Sequence, residues 1–265
     1  MSAEGLPFFA HALKSPSAFT PERLMGAVRA ERRLSEQPVP PLCVLDFDGD
    51  LSDHLARENI SLPWESWACF HTSMRVATIG GITCGIVPRT IGGPYAVLIS
   101  EQLWAAGARV IIGLTSAGRV SRNLPLPSIV VVNEAIRDEG TSLHYVAPSA
   151  RIKTPTAGIV EPLLAELGSV ALNVCQGLAW TTDAPYRETR EQLDYWATQN
   201  VLAVEMQAAS LFGFAHARGA AVGVIALVSN SIDGTSRGFD TGGNDFRLGV
   251  LTAIARAATR YLQKT

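Results

Sequence analysis

Short apolar runs rich in β-branched residues alternate with longer segments of helical periodicity from residue 42 onward. This alternation is typical of an α/β domain whose buried sheet is largely parallel or mixed. The runs that we assign to strands are Leu42 to Leu45, Ile82 to Val87, Arg109 to Leu114, Ile129 to Val132, Val170 to Val174 and Val222 to Val228. The segments that we assign to helices are Tyr95 to Ala106, Thr156 to Leu167, Glu205 to Arg218 and Asp245 to Leu262.

The alternation continues without an internal repeat, a low-complexity tract or a second linker. We therefore predict a single domain over residues 42–265. Residues 1–41 carry several prolines and charges of both signs. We interpret them as an N-terminal extension with one short helix around Pro21 to Leu34.

Charge and apolar content exclude several classes of partner. The 265 residues have a formal net charge of -2, which gives no electrostatic case for binding nucleic acid. No uninterrupted apolar segment reaches the roughly 18 residues that a membrane span needs, and the first residues lack the features of a signal peptide. We expect a soluble, cytoplasmic protein.

Cysteines and histidines are dispersed along the chain, without the short spacings of metal ligands. We therefore expect no metal site and no disulfide framework, and we expect the thiols to be free and buried. The cysteines are Cys43, Cys69, Cys84 and Cys175.

Three polar segments interrupt the apolar pattern where strands should end. Ile91-Gly92-Gly93-Pro94 and Thr115-Ser116-Ala117-Gly118 each follow a predicted strand, so we place both in loops at the sheet edge where ligands of α/β domains bind. Val204-Glu205-Met206-Gln207-Ala208 joins a buried strand to a helix. Two alternatives stay open: the loops are tight turns, and Glu205 and Gln207 only answer the helix dipole.

These segments occur in a fixed order with Thr182-Asp183-Ala184-Pro185-Tyr186 and Val228-Ser229-Asn230. In that order they resemble the nucleoside phosphorylase superfamily, and Arg137 to Tyr145 resembles a segment of its uridine phosphorylase branch. The resemblance spans roughly Leu42 to Leu262. It implies a single α/β domain with a central mixed sheet flanked by helices, usually a homodimer or a hexamer of dimers, and cleavage of an N-glycosidic bond.

The resemblance also implies which residues hold the nucleoside. It places Met206 and Gln207 against the ribose with Glu205 beside them, and Asn230 against the base, and we expect Asn230 and Glu205 to be the catalytic residues. Many members carry a glutamate where this chain has Gln207, and purine-specific hexameric members carry an aspartate where it has Asn230. An amide cannot act as a general acid. Base-stacking and sugar contacts are expected from four further residues: Trp180, Tyr186, Thr115 and Ser116.

The phosphate site departs furthest from the family. Its Gly-Asp-Pro-x-Arg segment reads Gly49-Asp50-Leu51-Ser52-Asp53 here, so an acid replaces the arginine, and Gly113 stands where a second arginine is expected. An acid removes a bidentate phosphate donor and repels a dianion. We expect phosphate to be held instead by Gly49, Arg89, Gly92, Ser116 and Arg119.

Our leading hypothesis is a nucleoside phosphorylase-like enzyme, a pentosyltransferase with phosphate as co-substrate and no cofactor. The first alternative is a nucleosidase that uses water. The second is a nucleoside-binding protein that has lost catalysis.

Overall fold

The computed structural model describes residues 12–170, 173–231 and 244–264. Its helices lie on both sides of a ten-stranded sheet. The strands are β1 (Leu42–Asp46), β2 (Leu62–Pro63), β3 (Arg75–Ile79), β4 (Ile82–Pro88), β5 (Val110–Arg119), β6 (Ser128–Asp138), β7 (Arg151–Lys153), β8 (Val174–Thr182), β9 (Val201–Glu205) and β10 (Ala221–Ser231). The helices are α1 (Pro21–Arg32), α2 (Asp50–Arg57), α3 (Gly93–Ala105), α4 (Ala157–Leu167), α5 (Arg190–Thr198), α6 (Ala208–Arg218) and α7 (Asn244–Leu262).

The sheet is mixed, as expected, and part of it closes on itself. β5 pairs in parallel with β1 and β10 and antiparallel with β9. β10 continues to β6, β6 to β8, and β8 back to β9, so five strands form a ring. β1, β4, β3 and β2 extend from this ring as an open sheet.

Both faces of the sheet are covered at β1, which is why this strand is buried along its whole length. In β1, Cys43 and Leu45 face one apolar layer with residues of α3 and α6. Leu42 and Val44 face the other, with residues of α2, α4 and α7. The α/β domain with a central mixed sheet flanked by helices is thereby confirmed.

Three predicted boundaries are wrong. The predicted strand Val170 to Val174 meets β8 only at its last residue: β8 begins at Val174, and Val170 closes a turn after α4 with its side chain packed against Gly249 of α7. Residues 171–172 of that prediction lie outside the described residues. Glu205 is the last residue of β9, and α6 begins three residues later. Thr115-Ser116-Ala117-Gly118 lies inside β5, because β9 and β10 both pair with the end of that strand.

The segment before residue 42 packs against the domain. Thr20 and Pro21 start α1, whose Met25 and Val28 are buried against Ala68. Val39 belongs to the apolar layer of α3 and α6. Nothing among the helices of the described residues has both the length and the apolarity that crossing a bilayer requires.

Candidate active site

The ends of three parallel strands converge at one edge of the sheet. Asp46, the last residue of β1, is level with Pro88 of β4 and Leu114 of β5. The residues that follow these three positions therefore lie close together at this edge of the sheet. They comprise residues 47–53, residues 89–93 and the second half of β5, which together contain all five residues predicted to bind phosphate.

Gln207 and Thr115 meet at this edge. The Thr115 hydroxyl lies 3.3 Å from Gln207 Oε1, and the Met206 N–H donates to the same oxygen at 3.2 Å. Gln207 is buried and Met206 is half-buried. The structure thus joins the two segments that the sequence assigned to the sugar, although 92 residues separate them in the chain.

Glu205 points inward and caps α6. Its Oε2 accepts from the N–H groups of Gln207 and Ala208 at 2.6 and 2.8 Å, and its Oε1 accepts from the Thr181 hydroxyl at 2.5 Å. Burial raises the pKa of Glu205 to about 7, although these three hydrogen bonds act in the opposite direction. For Glu205 the geometry agrees with the helix-dipole alternative, and this side chain positions Met206 and Gln207.

Ser116 already holds an anion, the carboxylate of Asp48. Its N–H donates to Asp48 Oδ2 at 3.0 Å and its hydroxyl donates to Asp48 Oδ1 at 2.9 Å. Thr115 connects this pair to the predicted sugar residues, since its hydroxyl also lies 2.8 Å from the Ser116 carbonyl. The predicted sugar and phosphate contacts therefore form one continuous network.

Arg89 lies over Gly49, next to Asp48. A Cβ on Gly49 would come within 2.8 Å of the Arg89 guanidinium carbon, so the absence of a side chain at this residue permits the approach. Arg89 Nη2 also contacts Asp53 Oδ2 at 2.5 Å, and this hydrogen bond is the main reason why the pKa of Arg89 is raised. The arginine that we expected as a replacement is thus paired with the acid that departs from the family pattern.

Other predicted residues lie apart from this network. Trp180 is buried in a cluster with Trp196 and donates its indole N–H to Asp138 at 2.9 Å, so it is a packing residue and cannot offer a face to a base. Tyr186 is fully exposed. Gly92, with a φ of 89°, precedes α3. Arg119 ends β5, where its Nη1 lies 3.5 Å from the Leu124 carbonyl.

Asn230 was predicted to face the base. Its backbone lies in β10, level with Gly118 of β5, which places it near the end of the strand that carries Thr115 and Ser116. The side chain of Asn230 lies outside the described part of the structure.

Sequence reasoning missed three acids. Asp48 lies between two other acids, Asp46 and Asp50, directly after a buried strand, and that spacing was the available signal. Asp46 is fully buried, which raises its pKa, while the Ser52 N–H and Arg247 favour its charged form. The third acid is Glu139.

Glu139, which directly follows β6, ties the end of that strand to α6. It accepts from the Ser142 N–H at 2.9 Å, from the Ser142 hydroxyl and from the Ser210 hydroxyl at 2.5 Å. The Gly140 N–H donates to Asp183 at 2.9 Å. The Arg137 to Tyr145 segment is therefore fixed against the helix that follows Gln207.

A cavity of about 1210 Å³ lies beside this region. Residues 13–24, α3, the 140–147 segment and the end of α6 line it, and Asp183 lies at its wall. It contains neither Gln207 nor Ser116, so we do not assign the sugar to it. Within the described ranges, no group of three or more histidine, cysteine or acidic side chains is arranged to hold a metal ion.

Comparisons with known proteins identify the family of this chain. The model of the phosphorylase superfamily matches residues 42–263. The chain is 28% identical to a guanosine phosphorylase of Halorubrum lacusprofundi over 62% of its own length and 68% of the relative. It is 27% identical to a uridine phosphorylase of Thermococcus kodakarensis over 60% of its own length and 62% of the relative.

The similarity extends to a DeoD-type purine nucleoside phosphorylase of Dichelobacter nodosus, at 26% identity over 52% of this chain and 58% of the relative. The alignments thus cover between about half and two thirds of each protein. Because the family model spans nearly the whole chain, this protein belongs to the phosphorylase superfamily.

Proposed function

We propose that this chain cleaves the N-glycosidic bond of a nucleoside and transfers the pentosyl group to phosphate, giving free base and ribose 1-phosphate. The observation that best supports this proposal is the contact between Gln207 and Thr115 beside the anion-holding donors of Ser116. A sugar held by Met206 and Gln207 would lie next to an acceptor anion, which is the proximity that a displacement at the anomeric carbon needs.

We assign the remaining roles as part of this proposal. Glu205 holds the start of α6, Asn230 contacts the base, and Gly49 and Arg89 lie beside the anion that Ser116 binds. Backbone N–H groups, a hydroxyl and a guanidinium are suitable donors for a dianion. No cofactor enters this scheme. We further propose a cytoplasmic homo-oligomer, a dimer or a hexamer.

Hydrolysis of the same bond is the second candidate, and a specific observation favours it. Ser116 and Arg89 are both occupied by carboxylates of the chain itself, Asp48 and Asp53. An acceptor dianion must compete with both acids, whereas a water molecule need not. The proposed enzyme would then be a nucleosidase that releases free ribose.

One assay separates these possibilities. Guanosine, uridine and adenosine are incubated with the purified chain, with and without phosphate, and free base, ribose 1-phosphate and ribose are quantified. Base release that depends on phosphate supports the proposal, and free ribose without phosphate supports the nucleosidase. If no free base is released even at a tenfold higher protein concentration, the protein does not cleave these nucleosides and can only bind them.

Arg89→Ala tests the replacement of the missing arginine. We expect the phosphate concentration for half-maximal rate to rise at least tenfold, about 1.4 kcal/mol, with a smaller effect on nucleoside affinity. Arg122→Ala is the matched control, because Arg122 is an exposed arginine paired with Asp194 elsewhere. If the phosphate concentration for half-maximal rate is the same in Arg89→Ala and Arg122→Ala, Arg89 does not contact phosphate.

A further inference from the structure

The Ser116 donors and the Asp48 carboxylate form a complete anion-binding pair within one chain. A backbone N–H and a hydroxyl of one residue hold the two oxygens of one carboxylate at 3.0 and 2.9 Å. Hydrogen bonds to an ionised acceptor are stronger than those between neutral groups. Ser116 is therefore a site for an anionic group, and Asp48 occupies it.

The surrounding charges make a second anion unfavourable while Asp48 stays there. Arg89 lies on Gly49, the next residue, and is paired with Asp53 at 2.5 Å. Asp46 and Asp50 flank the same turn, and Asp50 is paired with Arg247 at 3.1 Å. Arg89 and Arg247 are thus each paired with an acid in the first turn of α2.

We propose that Asp48 is an internal competitor of phosphate for Ser116, and that this residue sets how strongly the chain binds the acceptor anion. The proposal rests on the proposed function in one respect: it takes phosphate to be the external anion that reaches Ser116. Phosphate binds only when the Asp48 carboxylate leaves the two donors, because they cannot serve two anions at once. Removing the carboxylate frees the donors and also removes a like charge.

Calorimetric titration with inorganic phosphate, at constant ionic strength and without nucleoside, measures this competition. We expect Asp48→Ala and Asp48→Asn to bind phosphate at least tenfold more tightly than the parent. Asp48→Asn retains an oxygen that accepts from Ser116, so it tests the charge in a variant that conserves the shape. Circular dichroism and the unfolding midpoint establish that each variant is folded.

Three further variants separate competition from a general change in charge. Asp194→Asn removes one acidic charge at an exposed position paired with Arg122, and it should leave phosphate affinity at the parent's value. Asp48→Ala combined with Ser116→Ala should lose the gain, because the hydroxyl donor is then absent. Asp48→Glu keeps the charge and should show little or no gain.

Several results would overturn the proposal. Folded Asp48→Asn with unchanged or weaker phosphate binding would show that Asp48 only satisfies the Ser116 donors. An equal gain in Asp194→Asn would attribute the effect to net charge. The titration contains no nucleoside, so a gain in phosphate affinity supports the competition even if the nucleoside assay shows no cleavage. Conversely, if the variants show no gain in phosphate affinity, the competition is wrong even if the protein cleaves a nucleoside.

Discussion

Two polar residues at the entry to α6 have different surroundings although only one residue separates them. Glu205 ends β9 and faces Thr181 and the first N–H groups of the helix. Gln207 faces Thr115 across the sheet edge. Their order in the sequence predicted a polar entry to a helix, but it could not tell a cap from a ligand contact. That distinction depends on which strand ends lie opposite, and only the assembled sheet decides it.

Gln207→Ala should weaken nucleoside binding by roughly 1–3 kcal/mol, because it removes the amide expected to bond the sugar and leaves the Met206 N–H without its acceptor. Titration with a nucleoside that the enzyme cleaves measures the effect, and Gln263→Ala, at an exposed position, is the control. Unchanged affinity in a stable Gln207→Ala variant would place the sugar elsewhere.

Glu205 should make the protein less stable as the pH rises. Its pKa in the folded state is about 7, above its ordinary value of 4.5, because the carboxyl is buried. The folded state therefore binds the proton more tightly, and the resulting stabilisation is complete below about pH 4.5 and is lost as the pH passes through 7. As the pH is raised from 5 to 8, the unfolding midpoint of the parent should fall, and that of Glu205→Gln should fall less.

Glu188 contributes to the same trend, since burial also raises its pKa to about 7. A residual slope is therefore expected in Glu205→Gln and should decrease further in the double variant with Glu188→Gln. An identical slope in the parent and in Glu205→Gln would mean that Glu205 stays ionised in the folded protein, held so by Thr181 and the helix N–H groups.

Among the elements, long apolar strands were predictable and short helices were not. β4 and β10 follow from their continuous apolar runs, and α6 ends at Arg218, as predicted, with Gly219 after it in the left-handed conformation. α2 has eight residues, and Gly49 before it provides no side-chain cap, so little in its sequence marks it. α5 has a capping box of Thr189 and Gln192, a signal that was present but not used.

The contact between α3 and α6 depends on a residue without a side chain. A Cβ on Gly93, at the start of α3, would overlap the hydroxyl of Ser210 in α6. Ser210 is fully buried, and its hydroxyl donates a hydrogen bond to Glu139. We expect Gly93→Ala to destabilise the protein by about 1–3 kcal/mol through overpacking. Urea unfolding measures the loss.

Gly26→Ala is the matched substitution in a helix. A Cβ on Gly26, inside α1, would have no atom within 4 Å, so only the helix propensity changes. This variant should be more stable than the parent by up to about 1 kcal/mol. Similar changes in the free energy of unfolding for Gly93→Ala and Gly26→Ala would show that α3 and α6 can move apart without loss of stability.

At the scale of the whole molecule, the family match begins at residue 42, yet the apolar core extends across that boundary. α1 covers Ala68 with Met25 and Val28, and Arg32 donates to the Cys69 carbonyl at 2.8 Å while its guanidinium lies 5.2 Å from the Phe70 ring centroid. The prolines and mixed charges of residues 1–41 correctly predicted a short helix, but they carry no information about where it docks. Docking depends on an apolar patch that residues 68–106 form only after folding.

Deletion of residues 1–34 should therefore lower the unfolding midpoint while leaving one cooperative transition. Met25 and Val28 are buried. Burial of each side chain stabilises the protein by about 1.5–3 kcal/mol, so the deletion should lower the free energy of unfolding by several kcal/mol. The sheet and α2 to α7 keep their own two apolar layers, so the remainder should fold. Scanning calorimetry of the truncated and full chains measures the midpoint and the number of transitions.

Point substitutions locate the effect of that deletion within α1. Met25→Ala should destabilise the full chain by about 2–5 kcal/mol, whereas Leu13→Ala, at a residue that is 43% exposed, should change it by less than about 0.5 kcal/mol. If the truncated chain and Met25→Ala both unfold at the parent's midpoint, α1 does not stabilise the domain. A truncated chain that loses cooperative unfolding would instead make residues 1–34 part of the folding unit itself, and the boundary at residue 42 would then mark only where the family's sequence begins.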